Sequence, residues 1–142
     1  MLGRVRLSKN TVIFDANMIL RYILEDNEKM ADEVEEYIAL YNVVITLEVV
    51  AEVVYVLRKV YCAERNAISE MLTEFVSLVD CRERDVLYVA LIAYATYNLD
   101  FVDCVLYAYH KINGVEIATF DKKLLRLLNS EEELGKKIPF KF

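Results

Sequence analysis

Aspartate directly follows a short β-like apolar run twice in this chain, as Asp15 in "VIFDAN" and as Asp121 in "IATFDKKLL". Glu52 interrupts the apolar stretch "LEVVAEVVYVLRKVY", and Asp100 and Asp103 stand three apart in "NLDFVDCVLYAYHK". Convergence of Asp15, Glu52, Asp103 and Asp121 would bring severe repulsion. Two unit charges 4 Å apart interact by about 1 kcal/mol in water and about 4 kcal/mol at an effective dielectric of 20. Several such pairs outweigh the roughly 0.3–1 kcal/mol that a carboxylate gains at a helix N-terminus. Converging acids therefore require protonation or a divalent cation. An all-oxygen donor set favours Mg²⁺ or Mn²⁺. Water activated by such an ion suits attack on a phosphodiester, and the ion neutralises charge on the pentacoordinate phosphate.

Each acid also has a structural reading. Asp15 and Asp121 stand where helices begin, an ordinary place for a capping aspartate. Asp100 suits an N-cap, and Asp103, three residues on, has the spacing of a capping box. At 100° per residue Glu48, Glu52, Tyr55, Val56 and Lys59 share one helix face, so the Glu48/Glu52 pair reads either as a thin solvated edge or as the wall of a cleft.

The elements that must position these residues follow from periodicity. "TVIF" at 11–14 and "VVIT" at 43–46 read as short strands, and "VEIATF" at 115–120 as another. Helices are expected over "NMILRYILE", "DNEKMADEVEEYIALY", "LEVVAEVVYVLRKVY", "AERNAISEMLTEFVSLV", residues 84–98, "DFVDCVLYAYHKING" and "DKKLLRLLN". Gly114 suits a left-handed helix end, and the tail "KKIPFKF" suits an edge strand that tolerates Pro139. Strands alternating with helices imply an α/β fold with a mainly parallel sheet covered on both faces. Ligands in such sheets bind beyond the carboxyl ends of the strands. Asp15 and Asp121 reach one rim if their strands are parallel neighbours.

The 142 residues suffice for one domain with a real core, and no linker or repeat is visible. The longest uncharged run, residues 86–99, falls short of the roughly 20 residues of a membrane span. The first apolar stretch is also too short for a signal peptide. Cys62, Cys81 and Cys104 form no CxxC pair and there is one histidine, His110, so they read as reduced core thiols of a cytoplasmic protein rather than zinc ligands. A net charge of −6 argues against a generally basic duplex-binding surface. It leaves open a nuclease whose acids are gathered in one place. Arg21, Arg58, Lys59, Lys122 and Lys123 are the candidate phosphate contacts, and one or two of the ten tyrosines suit stacking on unpaired bases.

The blocks "VIFDANMILRYIL", "LEVVAEVVYVLRKVY", "LDFVDCVLYA" and "IATFDKKLL" occur in an order that resembles PIN-domain nucleases, most closely the compact VapC-type toxins of toxin–antitoxin pairs. The resemblance spans roughly residues 11–128. It implies that Asp15, Glu52, Asp103 and Asp121 are the family's four acids, with Asn17 and Thr119 as supporting polar residues. Asp15, Asp103 and Asp121 then hold metal, and Glu52 either ligates through water or orients the attacking water. The chain departs from the family signature at Ala16, where a hydroxyl residue is usual. The resemblance further implies a three-layer α/β/α sandwich over a single domain, residues 1–142, and Mg²⁺- or Mn²⁺-dependent cleavage of single-stranded RNA. It also implies homodimerisation and a small antitoxin partner.

Rival readings fit less of the chain. A haloacid-dehalogenase-type phosphatase needs a second acid two residues after Asp15, where Asn17 stands. A phosphoreceiver domain needs adjacent acids after the first strand and a lysine ending the last. A catalytically inactive PIN-like binding module and a housekeeping RNA-processing nuclease of the same fold both remain as alternatives.

Overall fold

The structure is a computed structural model that describes residues 9–130. The edge strand expected in the tail lies outside the described residues. The chain folds as β1 (Thr11–Ile13), α1 (Ala16–Leu24), α2 (Glu28–Leu40), β2 (Asn42–Val44), α3 (Leu47–Lys59), α4 (Arg65–Val76), α5 (Arg84–Thr96), α6 (Phe101–Asn113) and α7 (Lys122–Leu128). The strands pair in parallel, with Thr11 opposite Asn42, Val12 opposite Val43 and Ile13 opposite Val44. The ladder runs one step further, where the Phe14 N–H donates to the Val44 carbonyl at 3.1 Å. On the other side of β2, Val44 forms a parallel bridge with Asp80. Asp80 N–H donates to Val43 O (2.8 Å), and Ile45 N–H donates to Asp80 O (2.9 Å). Parallel neighbours need crossovers, which α1–α2 and α3–α4 supply.

Alternation along the strands decides what is buried. Phe14, Val43 and Ile45 join the core with Ile19, Val53, Leu57, Leu72, Leu87 and Tyr107. Thr11 and Ile13 instead line a cavity of about 590 Å³ walled by Glu48, Glu83 and Tyr109. α5 is the central helix. It carries no charge after Asp85, buries residues all around its circumference from Val86 to Tyr94, and packs against both α4 and α6. A helix apolar on every side is stable in water only in such a position.

The end of α6 follows the sequence expectation. Gly114 takes a left-handed φ of 68° and its N–H bonds the His110 carbonyl at 3.0 Å. A Cβ there would meet nothing within 4 Å, so the torsion alone favours glycine.

Three expectations need correction. Residues 115–120 form no strand; Val115 is half-exposed and Phe120 fully so. β-Branched composition measures fit to a half-buried pleated surface, and without a partner edge it does not make a strand. β2 ends at Val44 rather than Thr46, because the Thr46 hydroxyl caps α3 by accepting from Val49 N–H at 3.3 Å. Of the expected core thiols, Cys81 and Cys104 are buried but Cys62 is exposed. It follows α3 in a left-handed conformation, φ 54°, that turns it out of the helical packing.

Candidate active site

Asp15 and Asp121 do the same local work. Asp15 is the N-cap of α1, its Oδ1 accepting from Met18 N–H at 3.0 Å. Asp121 is the N-cap of α7, its Oδ1 accepting from Leu124 N–H at 2.8 Å. The Thr119 hydroxyl accepts from Asp121 N–H at 3.0 Å and so braces the cap from behind. Capping engages one oxygen of each carboxylate and fixes its rotamer; both aspartates are exposed. Asn17, also exposed, stands in the first turn of α1.

The second acid pair does not follow the capping reading. Asp100 occupies the N-cap position of α6, yet its side chain accepts no capping hydrogen bond. Asp103, one turn into α6, is partly buried. Burial raises its carboxyl above the ordinary value, and the charges of Asp121 and then Asp100 raise it further. Asp103 thus lies in the field of both Asp121 and Asp100, although 18 residues separate it from Asp121 in the chain. The packing of α7 on α6 brings them together.

Glu52 is exposed on α3 between the buried Val50 and Val53. It lies on a stripe of that helix with Glu48, Tyr55 and Lys59. Glu48 faces the cavity beside β1. Tyr55 and Lys59 face a second cavity, of about 540 Å³, whose opposite wall carries Asp100 and Asp103. The helices bearing the four acids form a continuous packed series, α1 on α3, α3 on α6 and α6 on α7. Among the described residues, however, no group of three or more His, Cys, Asp or Glu side chains is close enough to hold a metal ion. Asp103 and Asp121 interact; Asp15 and Glu52 share with them a common series of helices, not a preassembled ligand group.

The residues nevertheless fit a hard divalent cation in kind. The donors are all carboxylate oxygens. Asp103 bears a penalty from like charge that a bound cation would remove.

Arg65 is the residue that sequence reading missed. Its guanidinium Nη1 donates to the carbonyls of Tyr94 (2.9 Å), Tyr97 (3.2 Å) and Leu99 (2.8 Å). Its Cζ lies 3.9 Å from the centre of the Tyr94 ring. One side chain of α4 thus ties down the end of α5 and the turn that launches α6, which carries Asp100 and Asp103. Nothing local signals this, since the partners lie 29–34 residues away. Arg21, a candidate phosphate contact, is instead held by Asp26 at 2.7 Å.

A family model described as PIN domain matches residues 12–128 of the chain. No curated protein and no solved structure matches it.

Proposed function

Since the chain belongs to the PIN domain family, generally a metal-dependent nuclease fold, we propose that it is an endoribonuclease that hydrolyses single-stranded RNA with Mg²⁺ or Mn²⁺. The observation that carries the reading is the packing of α7 on α6, which sets the partly buried Asp103 in the field of Asp121. A partly buried carboxylate in the field of two others is costly for stability and useful for binding a cation.

The ligands proposed are Asp15, Asp103 and Asp121, with Glu52 as a fourth acid. A cation bound there supplies Lewis acidity toward the phosphate and a more acidic water. The protein's part is to hold the acids. Caps at Met18 and Leu124 fix Asp15 and Asp121 through one oxygen each and leave the second for a ligand. Asp103 must be ionised to take part. Glu52 orients the attacking water and takes its proton. Asn17 and Thr119 support Asp15 and Asp121. In this reading residues 1–142 form one domain, a three-layer α/β/α sandwich.

We place the protein as the toxin of a toxin–antitoxin pair, working as a cytoplasmic homodimer that a small antitoxin neutralises. Purified protein is expected to cut a labelled single-stranded RNA internally with Mg²⁺ or Mn²⁺ and to stop when EDTA is added. Asp15→Asn and Asp103→Asn should abolish cutting with the circular dichroism spectrum unchanged. Cutting at the wild-type rate by either variant rejects the site. Growth arrest on expression, absent with Asp103→Asn, would support the toxin role; normal growth beside active enzyme would favour RNA processing.

A further inference from the structure

The cavity of about 540 Å³ beside Asp103 has a chemical division that the cleavage reading does not use. One wall holds the acids of α6. The other, from the last turns of α3, presents Tyr55, Arg58 and Lys59, and the buried rings of Tyr94 and Phe101 line the same space. The Tyr55 ring is 64% exposed although it is a large apolar surface. Arg58 is tethered at the rim, its Nη1 donating to the Ala63 carbonyl at 3.1 Å. Lys59 pairs with no carboxylate among the described residues. Arg58 likewise has no acidic partner there, and both cations line a cavity that Asp100 and Asp103 also line.

An exposed ring beside two cations matches one nucleotide unit: a base with a π-face and a phosphate with a negative charge. We infer that this cavity is a nucleotide subsite for single-stranded RNA, Tyr55 stacking on a base and Arg58 and Lys59 holding a phosphate next to the one presented to Asp103. The inference rests on the nuclease reading for its choice of RNA. It adds the residues that set how the strand lies. The acidic wall repels a phosphate directly, so cations across a short gap are what allow a polyanion to approach it. A smaller cavity of about 350 Å³ shares Asn98 with this one and carries Lys123 and Arg126, which extends the same cationic path past the acids.

The test measures binding in EDTA, so that cleavage plays no part. A fluorescein-labelled single-stranded oligoribonucleotide is titrated with the full chain and anisotropy is followed at several NaCl concentrations. Tyr55→Ala is expected to weaken binding at least about fivefold, the lower end for loss of one stacked base. Lys59→Gln should weaken it and reduce the slope of log K against log salt by about 0.7, one phosphate's worth on a single strand. Lys29→Gln, the same charge change on an exposed site of α2, should leave the slope unaltered. Equal affinities for wild type, Tyr55→Ala and Lys59→Gln would overturn the subsite even if the wild type cleaves RNA. Equal slope losses for Lys29→Gln and Lys59→Gln would overturn it as well. Binding that depends on Tyr55 and Lys59 in a protein that never cleaves would uphold the subsite and refute the nuclease.

Discussion

Replacing Arg65 by alanine should be among the most damaging single changes outside the apolar core. Its Nη1 serves three carbonyls at 2.8–3.2 Å, and its guanidinium stacks on Tyr94. A hydrogen bond to a charged group contributes about 1.5–3 kcal/mol. The bonds here share one side chain and are not independent, and the carbonyls at the exposed side of the turn regain water when the arginine is removed. Two effective bonds at the low end of that range give about 3 kcal/mol, and the stacking contributes about 0.5–1 kcal/mol more at most sites. Denaturant unfolding read by circular dichroism should therefore show a loss of about 3–4 kcal/mol for Arg65→Ala. For a domain of this size that is a fall in Tm of about 10 °C. Arg65→Lys keeps the charge but not the planar fork, so it should recover only part of the loss. A loss below about 1 kcal/mol for Arg65→Ala would refute the claim that this side chain organises the α5–α6 turn.

The other expectations concern titration and thiol access. The Asp103 carboxyl is raised in the fold, so the native state holds its proton to higher pH than the unfolded chain does. Above the raised value Asp103 destabilises the fold. The penalty shrinks as pH falls through that value and is gone below the ordinary value of 3.8. Asp103→Asn should accordingly unfold at a higher temperature than wild type near neutral pH, with the advantage vanishing in acid; a less stable variant at pH 7 would contradict this. With a thiol reagent in the native state only Cys62 should react fast. Cys81 and Cys104 are buried, and burial holds the Cys104 thiol neutral by pushing its pKa up to about 12. Three fast thiols in the native protein would contradict the packing of α6.

Much of the helical framework was legible because its causes are local. The unbroken apolar run after Asp85 marks a helix buried on all sides, and Gly114 marks where α6 must stop. The aspartates opening α1 and α7 were legible as caps for the same reason. The coupling of Asp103 to Asp121 was legible only as a conditional, since it depends on how α7 packs on α6. The Arg65 tether was not legible at all, because no pattern within a few residues distinguishes an arginine that crosses to three distant carbonyls from one in solvent. Residues 115–120 show the opposite failure. Their composition suits a strand, but pairing is a property of two segments, and among the described residues β1 pairs only with β2. Likewise the sequence places four acids in order, but the packing of α1 on α3, α3 on α6 and α6 on α7 that relates them is a property of distant segments.

The central claim is that these four acids act on one ion, and Mn²⁺ binding followed by electron paramagnetic resonance tests it without RNA. Wild-type protein should sequester Mn²⁺, and Asp15→Asn, Glu52→Gln, Asp103→Asn and Asp121→Asn should each weaken that binding while remaining folded. Undiminished Mn²⁺ affinity in both Asp15→Asn and Asp103→Asn would mean that the acids serve only their helices.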